Sequence, residues 1–279
     1  MMQMLTKLIE IQTETATVYF LGDIHEGAAN HQAKALKEAI NIIANDSNAY
    51  WIGMGDYIDA INHRDPRFNP LEIAQEYNIK DLADLPKRQC QKLADKLQQI
   101  AHQCLGLISG NHEDSLRRYS TFDPTEYLAE LLNTESLGGK GWVILRFLRT
   151  KEHGNDAVET YRVCVAHGSG GGGMREGYPI NKAYDVFRWD VADACVMGHI
   201  HKMQTDKAEF MSCDYNTIRI KRAWYGTNGC FLSKSEIGTD GYFEQKPGKP
   251  SDIGMLKYTI KTKIRDKSTA TTSLEKIYL

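Results

Sequence analysis

Val18-Tyr19-Phe20-Leu21-Gly22-Asp23-Ile24-His25-Glu26 is an apolar run broken by Gly-Asp. Such a run reads as a buried strand that stops at a polar mouth. Asp23 and His25 are separated by one residue, so an extended backbone would turn both to the same side. A carboxylate and an imidazole on one side of a strand end are a ready pair of metal ligands. Alone, Asp-x-His equally describes a solvated loop after a strand. The reading therefore turns on whether the rest of the chain supplies the missing ligands.

Outward from this stretch, Leu5 to Ile11 alternates apolar and polar residues and predicts a strand neighbouring the one at Thr17 to Leu21. Gln32 to Ala44 places Ala35, Leu36, Ile40 and Ile43 at helical spacing. Tyr50 to Ile52 is a short strand ending in Gly53-Met54-Gly55-Asp56, which completes a βαβ unit with a parallel sheet. Asn62 to Pro70 reads as a loop, and Leu71 to Leu85 as irregular or weakly helical. Pro86 precedes a helix expected to run through Cys104, and Leu105 to Ser109 is a strand ending in Gly110-Asn111-His112-Glu113. Asp123-Pro124-Thr125-Glu126 opens a helix with an N-cap, Pro at the first position and an acid three residues on.

Trp142 to Leu148 and Thr160 to Ala166 are expected strands joined by a polar loop around His153. The second runs into His167 and the glycine run Gly168 to Gly173. Ala183 to Trp189 predicts a helix, and Ala194 to Met197 a strand ending in Gly198-His199-Ile200-His201. β-rich segments follow at Glu209 to Ser212, Thr217 to Trp224, Gly254 to Ile260 and Glu275 to Leu279. The order of elements supports an α/β class with a parallel component. No linker divides the chain, so 1–279 reads as one domain with a C-terminal extension from 203 to 279.

Bulk properties exclude several classes. No apolar stretch is long enough to span a bilayer, and Met1 to Glu10 lacks a signal-peptide pattern. None of the six Cys forms a Cys-x-x-Cys pair, so reduced thiols and a cytoplasmic setting are expected. The net charge of −2 gives no global basic field for nucleic acid. The distribution is uneven: residues 203–279 hold thirteen Lys/Arg against nine Asp/Glu, and residues 1–202 hold twenty-one against twenty-seven.

Five expected strand ends carry polar sets: Asp23/His25, Asp56/Asp59, Asn111/His112, His167 and His199/His201. Ligands of an open α/β sheet gather at the carboxyl ends of its strands. Asp23, His25, Asp56, Asn111, His167, His199 and His201 are seven nitrogen or oxygen donors, too many for one site that also keeps a water. They fit two cations sharing one carboxylate. The absence of thiolates disfavours a soft-metal or structural zinc site.

These blocks resemble the five motifs of calcineurin-like metallophosphoesterases. Gly22-Asp23-Ile24-His25, Gly55-Asp56-Tyr57-Ile58-Asp59, Gly110-Asn111-His112-Glu113, His167 and Gly198-His199-Ile200-His201 occur in that family's order, and the likeness covers Thr17 to Lys202. The resemblance implies a four-layer α/β/β/α sandwich with two mixed sheets, the β-rich tail extending the second sheet or forming a small cap. It implies one divalent ion on Asp23, His25 and His201, another on Asn111, His167 and His199, and Asp56 between them. It further implies a metal-bridging hydroxide nucleophile, His112 as general acid and Asp59 as the carboxylate that orients or charge-stabilises His112. Manganese is the favoured metal, with iron, zinc, nickel and cobalt as alternatives.

The family's protein phosphatases carry Arg directly after the second Asp of Gly-Asp-x-x-Asp, where this chain has Ala60. The pattern looks nearer to the phosphodiesterase branch, including SbcD-type and phage or prophage exonuclease-like members. That implies a phosphoester substrate, DNA or RNA among the candidates, and no membrane partner. Lys221-Arg222-Ala223-Trp224-Tyr225 mixes cations with aromatics, which suits either single-strand binding or strand packing. A small-molecule phosphatase, a cyclic-nucleotide phosphodiesterase and a non-catalytic scaffold are the alternatives. The Gly168–Gly173 run reads either as a phosphate cradle or as a turn. Glu113 and Asp114 read as acids favouring a helix N-terminus, and His31, His63, His102 and His153 as surface or packing residues.

Overall fold

The two N-terminal strands, β1 (Thr6–Ile11) and β2 (Thr15–Leu21), part into different sheets rather than pairing with each other. Their burial explains why. β1 is exposed or half-buried at every position except Ile11, which suits an edge, whereas β2 is buried at every position from Ala16 to Leu21, which suits a central strand covered on both faces. This computed structural model describes residues 6–60, 73–74, 76–77, 84–119, 121–149, 157–171, 173, 175–214, 217–233, 250–262 and 271–279. The expected loop at 62–70, His63 and the loop around His153 lie outside the described residues.

From β2 the chain crosses by α1 (Ala33–Asn45) to β3 (Ala49–Gly53), which pairs parallel with β2, so the expected βαβ unit is present. The next helix, α2 (Leu85–Leu97), stops earlier than expected; a 3₁₀ segment, Gln98–Gln103, leads into β4 (Cys104–Leu107), parallel to β3. Two helices follow, α3 (Asn111–Tyr119) and α4 (Pro124–Leu131). Asp123 caps α4, its side chain accepting the Thr125 and Glu126 N–H groups.

β5 (Lys140–Arg149) and β6 (Ala157–Ala166) form an antiparallel pair. Then come α5 (Tyr178–Val186) and β7 (Ala194–Met197). α5 begins five residues before the expected Ala183, because Pro179 sits in its first turn, where a missing N–H costs nothing. The last strands are β8 (Gln204–Asp214), β9 (Thr217–Thr227), β10 (Gly254–Lys261) and β11 (Thr271–Tyr278).

The six-stranded sheet has the order β1-β5-β6-β7-β9-β8, and the five-stranded sheet β11-β10-β2-β3-β4. Both mix parallel and antiparallel pairs. The tail thus completes both sheets, two strands to each, rather than extending one or forming a cap.

Alternation along β2 sorts the layers. Val18 and Phe20 pack with Ile52, Val143, Val163 and Val196 between the sheets. Tyr19 and Leu21 turn outward to Leu36, Ile43, Leu93 and Leu128, the apolar faces of α1, α2 and α4. α5 covers the other sheet through Ala183 and Phe187 against Cys164, Cys195 and Tyr225. The result is a four-layer α/β/β/α sandwich. All six cysteines are free thiols, Cys213 being exposed on β8. No described helix is long and apolar enough to cross a membrane.

Candidate metal centre

The carboxyl ends of β2, β3, β4, β6 and β7 converge, and each delivers its polar set to one place. Asp23, His25 and His201 form one donor group, Asp56, His167 and His199 a second, and His25, Asp56 and His112 a third between them. Within each, the donor atoms lie within 4.8 Å of one another. Asn111 joins the second group, its Oδ1 3.1 Å from His167 Nε2. All seven expected donors are therefore together, and His112 stands beside them.

Asp56 is central. Its Oδ2 lies 3.2 Å from His167 Nε2 on one side and 3.9 Å from His25 Nε2 on the other. Asp23 Oδ1 lies 3.1 Å from His201 Nε2, and the Asp23 carboxylate also accepts the His199 N–H at 3.1 and 3.2 Å. The first and last motifs are thereby joined directly.

The backbone here is not extended, as the sequence reading of Asp23 and His25 assumed. Asp23, His25, Asp56, His199 and His201 have φ of 49°, 52°, 48°, 72° and 59°. Among described non-glycine residues, only Asn133 shares that left-handed region. Such conformations cost about 1–3 kcal/mol each and persist where the surroundings over-determine them. The first, second and last motifs curl as they leave their strands, which turns side chains inward that a straight strand would splay. Glycine makes the approach possible: a Cβ on Gly110 would lie 2.2 Å from the Asp56 nitrogen.

The donor chemistry fits a hard or borderline divalent cation. His167 Nδ1 donates to the Met54 carbonyl at 2.8 Å, which leaves Nε2 facing Asp56 and Asn111 oxygens. Neither ring nitrogen of buried His25 has a hydrogen-bond partner. A neutral imidazole lone pair facing carboxylate oxygens is repulsive unless positive charge sits between them. The titration behaviour agrees. Burial would depress His167, but Asp56 and then Asp23 push it up to about 10. His201 is likewise raised to about 10 against burial, by Cys230 and by its hydrogen bond and charge interaction with Asp23. Burial works against ionising Asp56, yet His167 and His112 hold its carboxyl well below the usual range. His199 is lowered by burial and by neighbouring His167.

His112 is placed by two contacts: its N–H donates to Asp56 Oδ1 at 3.0 Å, and its Nδ1 donates to the main-chain carbonyl of Asp59 at 3.1 Å. This orienting hydrogen bond comes from the Asp59 backbone, where the expectation gave the Asp59 carboxylate an orienting or charge-stabilising part. That carboxylate stands instead 3.5 Å from His25 Nδ1.

Three supporting residues escaped the sequence reading. Glu113, expected only at a helix N-terminus, is buried and accepts N–H groups of Asp56, Tyr57 and Gly110 at 3.0, 2.8 and 2.9 Å. Burial, followed by the Asp56 charge, pushes its carboxyl up to about 7. Glu26 is buried and bound by Lys96 of α2 at 2.7 and 2.8 Å, with His31 Nε2 at 3.4 Å. Asn228 ties the sheets: its N–H donates to Met197 O at 2.7 Å, its Nδ2 to Phe20 O at 3.0 Å, and its Oδ1 accepts from Leu256 at 2.8 Å. The pattern Gly-Asn-His-Glu carried a usable signal for Glu113, an acid two residues after a candidate ligand. No local pattern marks Asn228.

A cleft of about 440 Å³ opens on the Asn111, His167 and His199 side of the centre. The Gly168–Gly170 part of the glycine run forms one wall.

The family model described as calcineurin-like phosphoesterase matches residues 16–203. No match was found among curated proteins. Among solved structures, the chain is similar to Vps29 of Chaetomium thermophilum at 11% identity and TM-score 0.35, covering 95% of this chain and 98% of that one. It is also similar to GAP50, the anchor in the inner membrane complex of Plasmodium, at 13% identity and TM-score 0.41, covering 95% and 89%.

Proposed function

The chain belongs to the calcineurin-like phosphoesterase family, and on that premise we propose that it hydrolyses phosphodiesters with two divalent cations, manganese first among them. The observation that carries the reading is the position of Asp56 Oδ2 between His25 at 3.9 Å and His167 at 3.2 Å, one donor group on each side. A carboxylate so placed can serve both groups. Asp23, His25 and His201 would hold one ion; Asn111, His167 and His199 would hold the other.

Ions bound there would supply Lewis-acid charge to the phosphoryl group and acidify water for attack on phosphorus. The water oxygen forms the new bond to phosphorus as the ester P–O bond breaks, and the departing alkoxide needs a proton. His112 is the proposed donor. With its Nδ1 committed to the Asp59 carbonyl, its Nε2 is the nitrogen left to carry a transferable proton. The contact between His112 N–H and Asp56 Oδ1 keeps acid and metal centre in register.

The diester preference rests on Ala60, which is buried and occupies the position of the family's Arg clamp. A diester carries one negative charge fewer than a monoester dianion, so it needs the clamp less. Six free thiols support a reducing, cytoplasmic setting.

A Mn²⁺-supplemented panel tests the reading. Bis-p-nitrophenyl phosphate should be cleaved faster than p-nitrophenyl phosphate, and single- and double-stranded DNA compared with cyclic nucleotides would identify the natural class. A monoester cleaved faster than the diester would overturn the diesterase assignment. No turnover of any ester with any of the five candidate metals would overturn the enzyme.

A further inference from the structure

The cleft extends well beyond the donor atoms, and its described lining residues include no aliphatic side chain and no aromatic ring beyond the imidazoles of His167 and His199, which belong to the donor groups. One wall is a stripe of α3: Asn111, Asp114, Ser115 and Arg118 fall at i, i+3, i+4 and i+7 and share a helix face. At ~1.5 Å per residue, Arg118 stands about 10 Å along the axis from Asn111. The opposite wall is Gly168-Ser169-Gly170, with Gly168 and Gly170 at φ of 88° and 89°. Backbone without Cβ atoms lets a ligand approach closely.

The charges are arranged for an anion. Asp114 is the one acid among the described lining residues, and it is already paired with Arg117 at 2.7 Å. Arg118 makes no ion pair with another described residue, and its guanidinium is free to turn into the cleft. Lys182 supplies a second cation: a Cβ on Gly170 would lie 3.6 Å from its Nζ. A cleft with an unpaired guanidinium, a nearby ammonium, hydroxyls and bare backbone, and with no described ring outside the donor groups, suits phosphate and sugar better than a base or an aryl group.

We propose that this cleft is a subsite for a second phosphate, with Arg118 as its specificity-determining residue. The substrate class is a phosphoester that carries another phosphate across a short sugar-like spacer. The proposal rests on the phosphoesterase reading, since it takes the scissile phosphate to lie at Asp56. Both a nucleic-acid strand and a bisphosphorylated small molecule present this chemistry.

Calorimetric binding to the Mn²⁺-loaded protein tests it. Thymidine 3′,5′-bisphosphate should bind about tenfold or more tighter than thymidine 5′-monophosphate. Arg118→Gln should bring that ratio near one, and Arg118→Lys, which keeps the charge without the fork, should leave an intermediate ratio. Arg118 is exposed, so both variants should keep the wild-type melting temperature. Equal affinities in the wild type, or a ratio that survives in Arg118→Gln, overturns the subsite. A 5′-phosphorylated tetrathymidylate that binds at least as well as the bisphosphate assigns the subsite to a strand; weaker binding assigns it to a small bisphosphate. The readout is an affinity ratio, so hydrolysis of bis-p-nitrophenyl phosphate can succeed while the ratio fails, or the reverse.

Discussion

Glu113 and Asp56 are joined through the main chain: Glu113 Oε2 accepts the Asp56 N–H at 3.0 Å. The same oxygen accepts from Gly110 at 2.9 Å, and Oε1 accepts from Tyr57 at 2.8 Å. One buried carboxylate therefore clamps the second motif to the third and holds Asp56 in its left-handed conformation. With the longer contact from Ile58 N–H at 3.4 Å included, Glu113→Ala would leave four N–H groups without this acceptor, at about 1–3 kcal/mol for each that stays buried and unpaired. The urea midpoint should fall by an amount equal to roughly 3 kcal/mol or more, and Mn²⁺ affinity should fall with it. A midpoint matching the wild type would show that the clamp is dispensable.

Metal should act on stability as well as on turnover. The donor atoms approach one another against repulsion, and a cation relieves it. Saturation at 100 times the dissociation constant adds about 2.7 kcal/mol. The melting temperature should therefore rise with Mn²⁺ and return to its starting value with a chelator. Asp56→Asn should lower the affinity at both donor groups, seen as the loss of two bound ions in equilibrium dialysis. Two tightly held ions in that variant would remove Asp56 from the shared position.

Much of this was legible in the sequence because function and strand ends coincide. The run Val18 to Leu21 marks a central strand by its unbroken apolarity, and the polar residues after each such run are the ones that meet at the centre. Pairing partners were less legible. β1 and β2 are adjacent in sequence yet lie in different sheets, since only long-range pairing decides which edge a half-exposed strand joins. The left-handed φ values were hidden because Asp and His, though they visit that region more often than most residues, do not require it. Glu113 and Asn228 act across 57 and 208 positions of chain, through main-chain atoms that carry no sequence pattern.

His112 separates chemistry from binding. Its imidazole is fixed by Asp59 O and its N–H by Asp56, while it is not one of the seven donors assigned to the ions. His112→Ala keeps the N–H and removes the acid. Both ions should remain bound, and turnover of a diester with a poor leaving group should fall about 100-fold or more. Bis-p-nitrophenyl phosphate, whose leaving group needs little protonation, should be affected less. An equal loss on both esters would contradict the proton-donor role.

Asn228 gives a contrasting case, a polar residue whose work is structural. It is fully buried, and it joins β7 of one sheet to β2 and β10 of the other through Met197, Phe20 and Leu256. Asn228→Ala keeps the main-chain bond to Met197 but leaves the Phe20 carbonyl and the Leu256 N–H without their side-chain partner. Two buried groups so treated cost roughly 2–6 kcal/mol together. Asn228→Asp should be as damaging, because it sets a carboxylate oxygen against the Phe20 carbonyl where an amide N–H had donated. Urea denaturation should show both losses. The centre is assembled from side chains that Asn228 does not touch, so the folded fraction of Asn228→Ala should still bind two ions. Loss of the ions with unchanged stability would instead make Asn228 part of the centre.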